Sequence, residues 1–193
     1  MRESPNPDLT GETLTGQVRP VRRVALGLGG NVGDVADTLQ KAVDALLDTP
    51  ETVPVRISSV WQSPAAGGPP GQPDHLNAVV VLDSSLPSAV FLERAHVVEA
   101  ALGRDRAREQ RWGPRTVDVD VLAVGDRVVD GADGHHPVLP HPRAHQRAFV
   151  LLPWAEVDPD AVLPGSGRVG DLAAAIDPGG ARVRPDLQLW LPG

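Results

Sequence analysis

Arg111-Trp112-Gly113-Pro114-Arg115-Thr116-Val117-Asp118-Val119-Asp120-Val121-Leu122-Ala123-Val124 is the stretch on which fold and chemistry both turn. Its second half, Val117 to Val124, is an apolar run that reads as a strand. Side chains alternate along a strand, so Asp118 and Asp120 share a face, about 6–7 Å apart along the axis. Two carboxylates on one face repel each other. Charges on a strand can simply protect an exposed edge; a magnesium-like cation held by oxygen ligands and carrying phosphates would relieve the same repulsion. Just upstream, Arg104 to Arg115 carries five arginines against two acids, Asp105 and Glu109. Guanidiniums beside metal-binding carboxylates suit a nucleoside triphosphate.

Outward from this strand, the rest of the chain supplies a recognisable order. Val21 to Leu28 alternates as a first strand, and Gly29-Gly30-Asn31-Val32-Gly33 turns into a helix that Asp34 caps. Val53 to Trp61 alternates as a second strand, and residues 63–73 are too rich in glycine and proline for a regular element. His75 to Leu82 reads as a third strand, with His75 and Asn77 on one face and Leu76, Ala78, Val80 and Leu82 on the other. Ser84-Ser85-Leu86-Pro87 opens a second helix that Gly103 ends. The order β-α-β-β-α-β predicts an α+β, ferredoxin-like sandwich: an antiparallel sheet with flanking helices on one face, and long active-site loops. Further on we expect a short strand at Arg127 to Val129, an irregular basic loop from His135 to Arg147, a packing segment from Phe149 to Trp154, and a short helix near Gly170 to Ile176. Residues 1–20 are expected to be a disordered tail, and 21–193 a single domain.

Composition removes several function classes. With 41% hydrophobic and 22% charged residues the chain has an ordinary globular make-up. It has no cysteine, which excludes disulfides, thiolate metal sites and cysteine nucleophiles. A net charge of −7 argues against general nucleic-acid binding, so the arginines suit a small anionic ligand. Seventeen arginines accompany a single lysine, Lys41; no Gly-Lys-Ser/Thr exists, so a phosphate site here is not a P-loop. Glycines at 27, 29, 30 and 33 miss the dinucleotide-binding spacing by one residue. No signal peptide or membrane span is visible, and the expectation is a cytoplasmic monomer. His135, His136 and His145 lack the spacing of a zinc site. His96, Trp61, Trp154 and Trp190 read as packing.

Several separated motifs then occur in order: A-L-G-x-G-x-N-x-G-D at 25–34, Q-P-D-x-L-N at 72–77, G-R-x-R at 103–106, R-W-G-P-R-T-V-D-V-D-V-L at 111–122, P-H-P-R at 140–143 and R-A-F-V-L-L-P at 147–153. In these the chain resembles the 6-hydroxymethyl-7,8-dihydropterin pyrophosphokinase family, from about Val21 to Gly165. The resemblance implies transfer of pyrophosphate from ATP to the pterin alcohol in folate biosynthesis, giving the pterin diphosphate and AMP. It implies that Asp118 and Asp120 hold two magnesium ions. Arg104, Arg106, Arg115, His141 and Arg147 match positions that grip the triphosphate, and Ser63, Pro64, His75, Asn77, Trp112 and Phe149 match the pterin pocket. The loops 63–73 and 104–115 match mobile lids, and Arg111 to Arg115 is expected to move while the aspartates stay on the rigid strand. The chain departs from the family at His75, where tyrosine is frequent, at His135-His136 and Pro142, and in an arginine loop one residue longer. Two other readings stay open on the residues alone: a non-catalytic ferredoxin-like nucleotide-binding module, and a metal-dependent phosphatase.

Overall fold

The structure, a computed structural model, describes residues 19–110 and 112–192. The expected tail therefore falls, except for Arg19 and Pro20, outside the described residues, as does Arg111. Five strands and two helices come first: β1 (Arg22–Gly30), α1 (Val35–Leu47), β2 (Thr52–Ile57), β3 (Trp61–Ser63), β4 (His75–Ser84), α2 (Ser88–Ala101) and β5 (Asp118–Val124). After them come α3 (Ala148–Val157), the hairpin β6 (Val162–Leu163) and β7 (Gly167–Arg168), α4 (Val169–Ala175) and β8 (Arg182–Val183). The main sheet runs β5-β1-β4-β3-β8, with β2 also on β4, and every pairing is antiparallel. This is the expected α+β arrangement, with α1 and α2 on one face.

Alternation on the strands builds two cores. Val24, Leu26 and Leu28 of β1, with Ala78, Val80 and Leu82 of β4, face Leu39, Val43 and Leu46 of α1 and Phe91, Ala95 and Val98 of α2. Ala25, Val79, Val81 and Leu122, on the opposite face, meet Val150, Leu151 and Trp154 of α3. Asp118 and Asp120 lie on that second face, since Val119 and Val121 point to the helix-side core. α3 covers only the part of the face beyond them, and the remainder is open for a site.

Four expectations change. The second strand splits at Ser58 to Val60, because the Ser58 hydroxyl accepts the Val79 N–H (2.9 Å) and Glu156 accepts from Ser59 and from the Trp61 indole N–H (3.0 Å). The packing segment after Phe149 is a helix despite Pro153. The short strand at 127–129 reduces to one bridge between Val129 and Leu139. His96 is exposed and Trp190 is 65% exposed, so neither packs in the core. No described helix is long and apolar enough to cross a membrane.

Candidate active site

One cavity of about 770 Å³ opens on the second face of the sheet. Its floor is a row of paired residues. Asp118 on β5 stands opposite Gly29 on β1, which stands opposite Asn77 on β4; one step along, Asp120 pairs with Gly27. Space at 29 is tight: a Cβ there would lie 3.0 Å from the Asn77 Oδ1, so a side chain fits only if that amide gives way. The glycine leaves the floor open between a charged end at the aspartates and a neutral end at Asn77.

The charged end is a network in which Asp118 receives Arg115 (Nη1 to Oδ2, 3.0 Å) and Arg104, and Asp120 faces Arg147 (3.5 Å) and the His141 Nε2 (3.8 Å). Burial opposes ionisation of Asp118, but Arg115 and Arg104 outweigh it and hold its carboxyl below the usual range. Asp120 goes the other way: burial, then the Asp118 charge, push it up to about 6. His141 is pulled down to about 4 by burial and by Arg147, so its ring is neutral at pH 7. The Nε of Arg115 is buried with no acceptor, leaving a donor for a ligand oxygen.

At the neutral end, the Asn77 amide donates to the Ser63 hydroxyl (3.0 Å), and both residues are buried. Burial and the Arg115 charge lower the His75 pKa, so its ring is an uncharged surface there. Pro64, Phe149 and Trp112 complete the walls. Arg147 stacks on Phe149 (5.5 Å) and Arg143 on Trp112 (5.6 Å), so guanidiniums also back the aromatic surfaces. Two loops meet over the cavity: the Gln72 amide donates to the carbonyls of Gly67 (3.1 Å) and Trp112 (3.0 Å). Gly68 lies so close that a Cβ would fall 2.1 Å from the Trp112 carbonyl oxygen.

The model of the 7,8-dihydro-6-hydroxymethylpterin-pyrophosphokinase family matches residues 25–159. The chain belongs to this family. It is 44% identical over 159 residues to the 2-amino-4-hydroxy-6-hydroxymethyldihydropteridine pyrophosphokinase of Methylorubrum extorquens, covering 82% of this chain and 96% of that protein. It is 37% identical over 180 residues to the like-named protein of Mycobacterium tuberculosis, covering 88% and 90%. A solved Plasmodium falciparum HPPK-DHPS chain superposes with a TM-score of 0.62 at 10% identity. That match covers 85% of this chain but only 47% of the other, and bears on the fold alone.

Eleven of the thirteen residues that the resemblance singles out line this pyrophosphokinase-family cavity: Ser63, Pro64, His75, Asn77, Trp112, Arg115, Asp118, Asp120, His141, Arg147 and Phe149. Arg104 and Arg106 do not. Both turn instead to Glu99, a carboxylate only 1% exposed at the C-terminal end of α2. Glu99 accepts from Arg104 (2.7 Å), from the Arg106 Nε (2.9 Å) and from the backbone N–H of Val119 between the two aspartates (2.8 Å). Arg104 also binds Glu109 (3.0 Å) and is 6% exposed; its pKa is raised because Glu109 and Asp118 outweigh burial. Arg115 is likewise held by backbone hydrogen bonds. Its N–H donates to the Asn31 Oδ1 (2.8 Å) and its carbonyl accepts the Asn31 N–H (2.9 Å). Asn31 also reaches the Pro73 carbonyl (3.1 Å), so one buried amide joins β1, the glycine-proline loop and the arginine loop. Glu99, Asn31 and Gln72 carry no distinctive signal; only the presence of Asn31 and Gln72 inside the quoted motifs marks them.

Proposed function

We propose that this chain transfers the pyrophosphoryl group of ATP to 6-hydroxymethyl-7,8-dihydropterin, as the names of its relatives describe. The observation that carries the proposal is a single cavity with paired carboxylates and arginines at one end and a neutral, aromatic-walled slot at the other. A triphosphate needs the first and a flat heterocycle the second.

The donor set fits magnesium. Asp120, pushed up to about 6 by burial and Asp118, is a carboxylate whose charge Arg147 compensates only in part, and a divalent cation would supply the rest. No group of three or more candidate ligands occurs among the described residues, so Asp118 and Asp120 would hold two ions with phosphate and water oxygens completing the shells. Bound there, magnesium neutralises phosphate charge and lowers the pKa of the attacking alcohol. Arg115, Arg147 and the neutral His141 donate to phosphate oxygens as charge develops. Arg104 and Arg106, anchored on Glu99, act on the triphosphate only by leaving some of their carboxylate partners. Asn77, Ser63 and His75 orient the pterin so that its hydroxymethyl oxygen bonds to the β-phosphorus. The bond from that phosphorus to the α–β bridging oxygen breaks, AMP departs, and the alcohol proton is lost to solvent. No side chain need serve as a dedicated base.

The test is to incubate purified protein with ATP, magnesium and the pterin and to measure AMP. AMP formed only with pterin present is the expected result. ATP binding indifferent to pterin would favour the nucleotide-binding module, and inorganic phosphate the phosphatase.

A further inference from the structure

The family match stops at residue 159, but the cavity wall does not. Past α4 the chain arches across the mouth of the neutral end, where Ile176, Pro178 and Ala181 line the cavity. The arch is fixed at both feet. At the first, the Ile176 N–H donates to the Leu172 carbonyl (3.1 Å), and its side chain packs against the same buried cluster as Phe149. At the second, β8 pairs with β3, placing Arg182 beside Gln62 and Val183 beside Trp61. There the Arg184 N–H donates to the Val60 carbonyl (2.8 Å) and its guanidinium to the Gln62 Oε1 (2.9 Å). Further on, Leu189 is buried in the helix-side core, and the Trp190 backbone is bonded on both sides by the Gln40 amide (2.8 and 3.0 Å). Between its feet the arch is self-braced: the Ala181 N–H donates to the Pro178 carbonyl (2.9 Å) and the Gly179 N–H to the Asp177 carboxylate (3.0 Å).

Its crown rests on the slot. Gly180 has φ +83°, and a Cβ on it would lie 3.3 Å from the Pro64 Cγ, ordinary only if Pro64 gives way. Pro64 belongs to the glycine-proline loop, and Ile176 packs against the same buried cluster as Phe149. The arch thus meets Pro64 on one side of the neutral slot and rests on the same core as Phe149 on the other, with Asp177 the one charged residue it brings to the lining.

We propose that Ile176 to Ala181 form the outer wall of the pterin slot, with Ile176 and Gly180 as specificity-determining residues that limit the size of the ring substituents it accepts. This rests on the pyrophosphokinase reading above. An apolar wall discriminates by volume: each methylene added or removed changes selectivity by roughly 10- to 200-fold at most. Ile176→Ala deepens the slot, and Gly180→Ala, strained at its positive φ, crowds Pro64.

The experiment measures steady-state constants for both substrates in the full chain, alongside pterin binding by its own fluorescence in the presence of a non-hydrolysable ATP analogue. Ile176→Ala is expected to weaken binding of the parent pterin about tenfold and to improve relative use of a pterin bearing a bulkier ring substituent. Gly180→Ala is expected to weaken the parent about tenfold and the bulkier pterin more. The KM for ATP should stay within about twofold in both, since the charged end is untouched. Ile176→Val, which disturbs folding least, should move the parent pterin in the same direction by a few-fold. Unchanged pterin affinity with only a lower melting temperature would make the arch a structural edge and overturn the proposal. A parallel rise in both KM values would do the same. Wild-type protein that forms no pterin-dependent AMP would overturn the underlying reading, and the arch inference with it; active wild type with indifferent variants overturns the arch alone.

Discussion

The two ends of the cavity are held in place by different physics. At the charged end, Asp118, Glu99 and Glu109 are paired with Arg104, Arg106 and Arg115 before any ligand arrives. A triphosphate or cation entering there must replace partners that already exist, so its affinity is a difference between two sets of ion pairs. At the neutral end, Asn77, Ser63, Gly29 and Gly68 set a shape through hydrogen bonds and missing side chains. A ring entering there displaces no charge. One end is governed by competition and the other by volume.

Substitutions should separate the two regimes. The largest effect is expected for Asp118→Asn or Asp120→Asn, which should lower turnover about 10³-fold while the circular dichroism spectrum stays unchanged. Near-normal turnover in either would remove the carboxylate pair from the chemistry. Next comes Glu99. Glu99→Leu leaves Arg104 and Arg106 short of a buried partner and should cost about 3–5 kcal/mol in urea unfolding. Glu99→Gln keeps an acceptor for the Val119 N–H, so it should lose less stability and show its damage in the KM for ATP. Equal stability loss in both variants would mean that the charge of Glu99, which both remove, carries the whole effect and that the acceptor kept by glutamine adds nothing. Gly29→Val places side-chain atoms where a Cβ alone already reaches 3.0 Å from Asn77, and should raise the pterin KM at least about tenfold, more than the ATP KM.

The smallest effect is in acid. Because the folded pKa of Asp120 is raised to about 6, the folded state binds more protons than the unfolded state between its ordinary value near 4 and 6. Its contribution to stability therefore falls as pH rises through that window and is worst above it. Metal-free protein should show this slope in urea midpoints between pH 4.5 and 7, and Asp120→Asn should flatten it.

The sequence made the strand with Asp118 and Asp120 legible, because alternation puts both carboxylates on one face whatever the rest of the chain does. It made α1 legible for the same reason, with Asp34 accepting the Asp37 N–H as its cap. α3 was hidden because it is apolar on nearly every side and contains Pro153; burial all round erases the period that betrays a surface helix. The break between β2 and β3 depends on Ser58 and Glu156, residues 98 positions apart, and nothing local announces it. Glu99 looked like an ordinary polar position on α2; only the fold brings Arg104, Arg106 and Val119 around it. The motifs marked arginines 104 and 106 as important without showing that both are held by Glu99, with Arg104 reaching the cavity only through Asp118. The arch at 176–181 had no signature, since its contribution is position rather than chemistry.

The amide of Asn31 has a consequence for how the molecule assembles. It bonds partners 42 and 84 residues away, and closing such long loops is entropically slow. Those bonds can form only once β5 lies beside β1 and the glycine-proline loop has been delivered by β4. Helices and local turns arrive earlier on this view, and ligand-binding competence is among the last properties the chain acquires. Refolding followed by helix content and by pterin fluorescence should therefore give two different clocks.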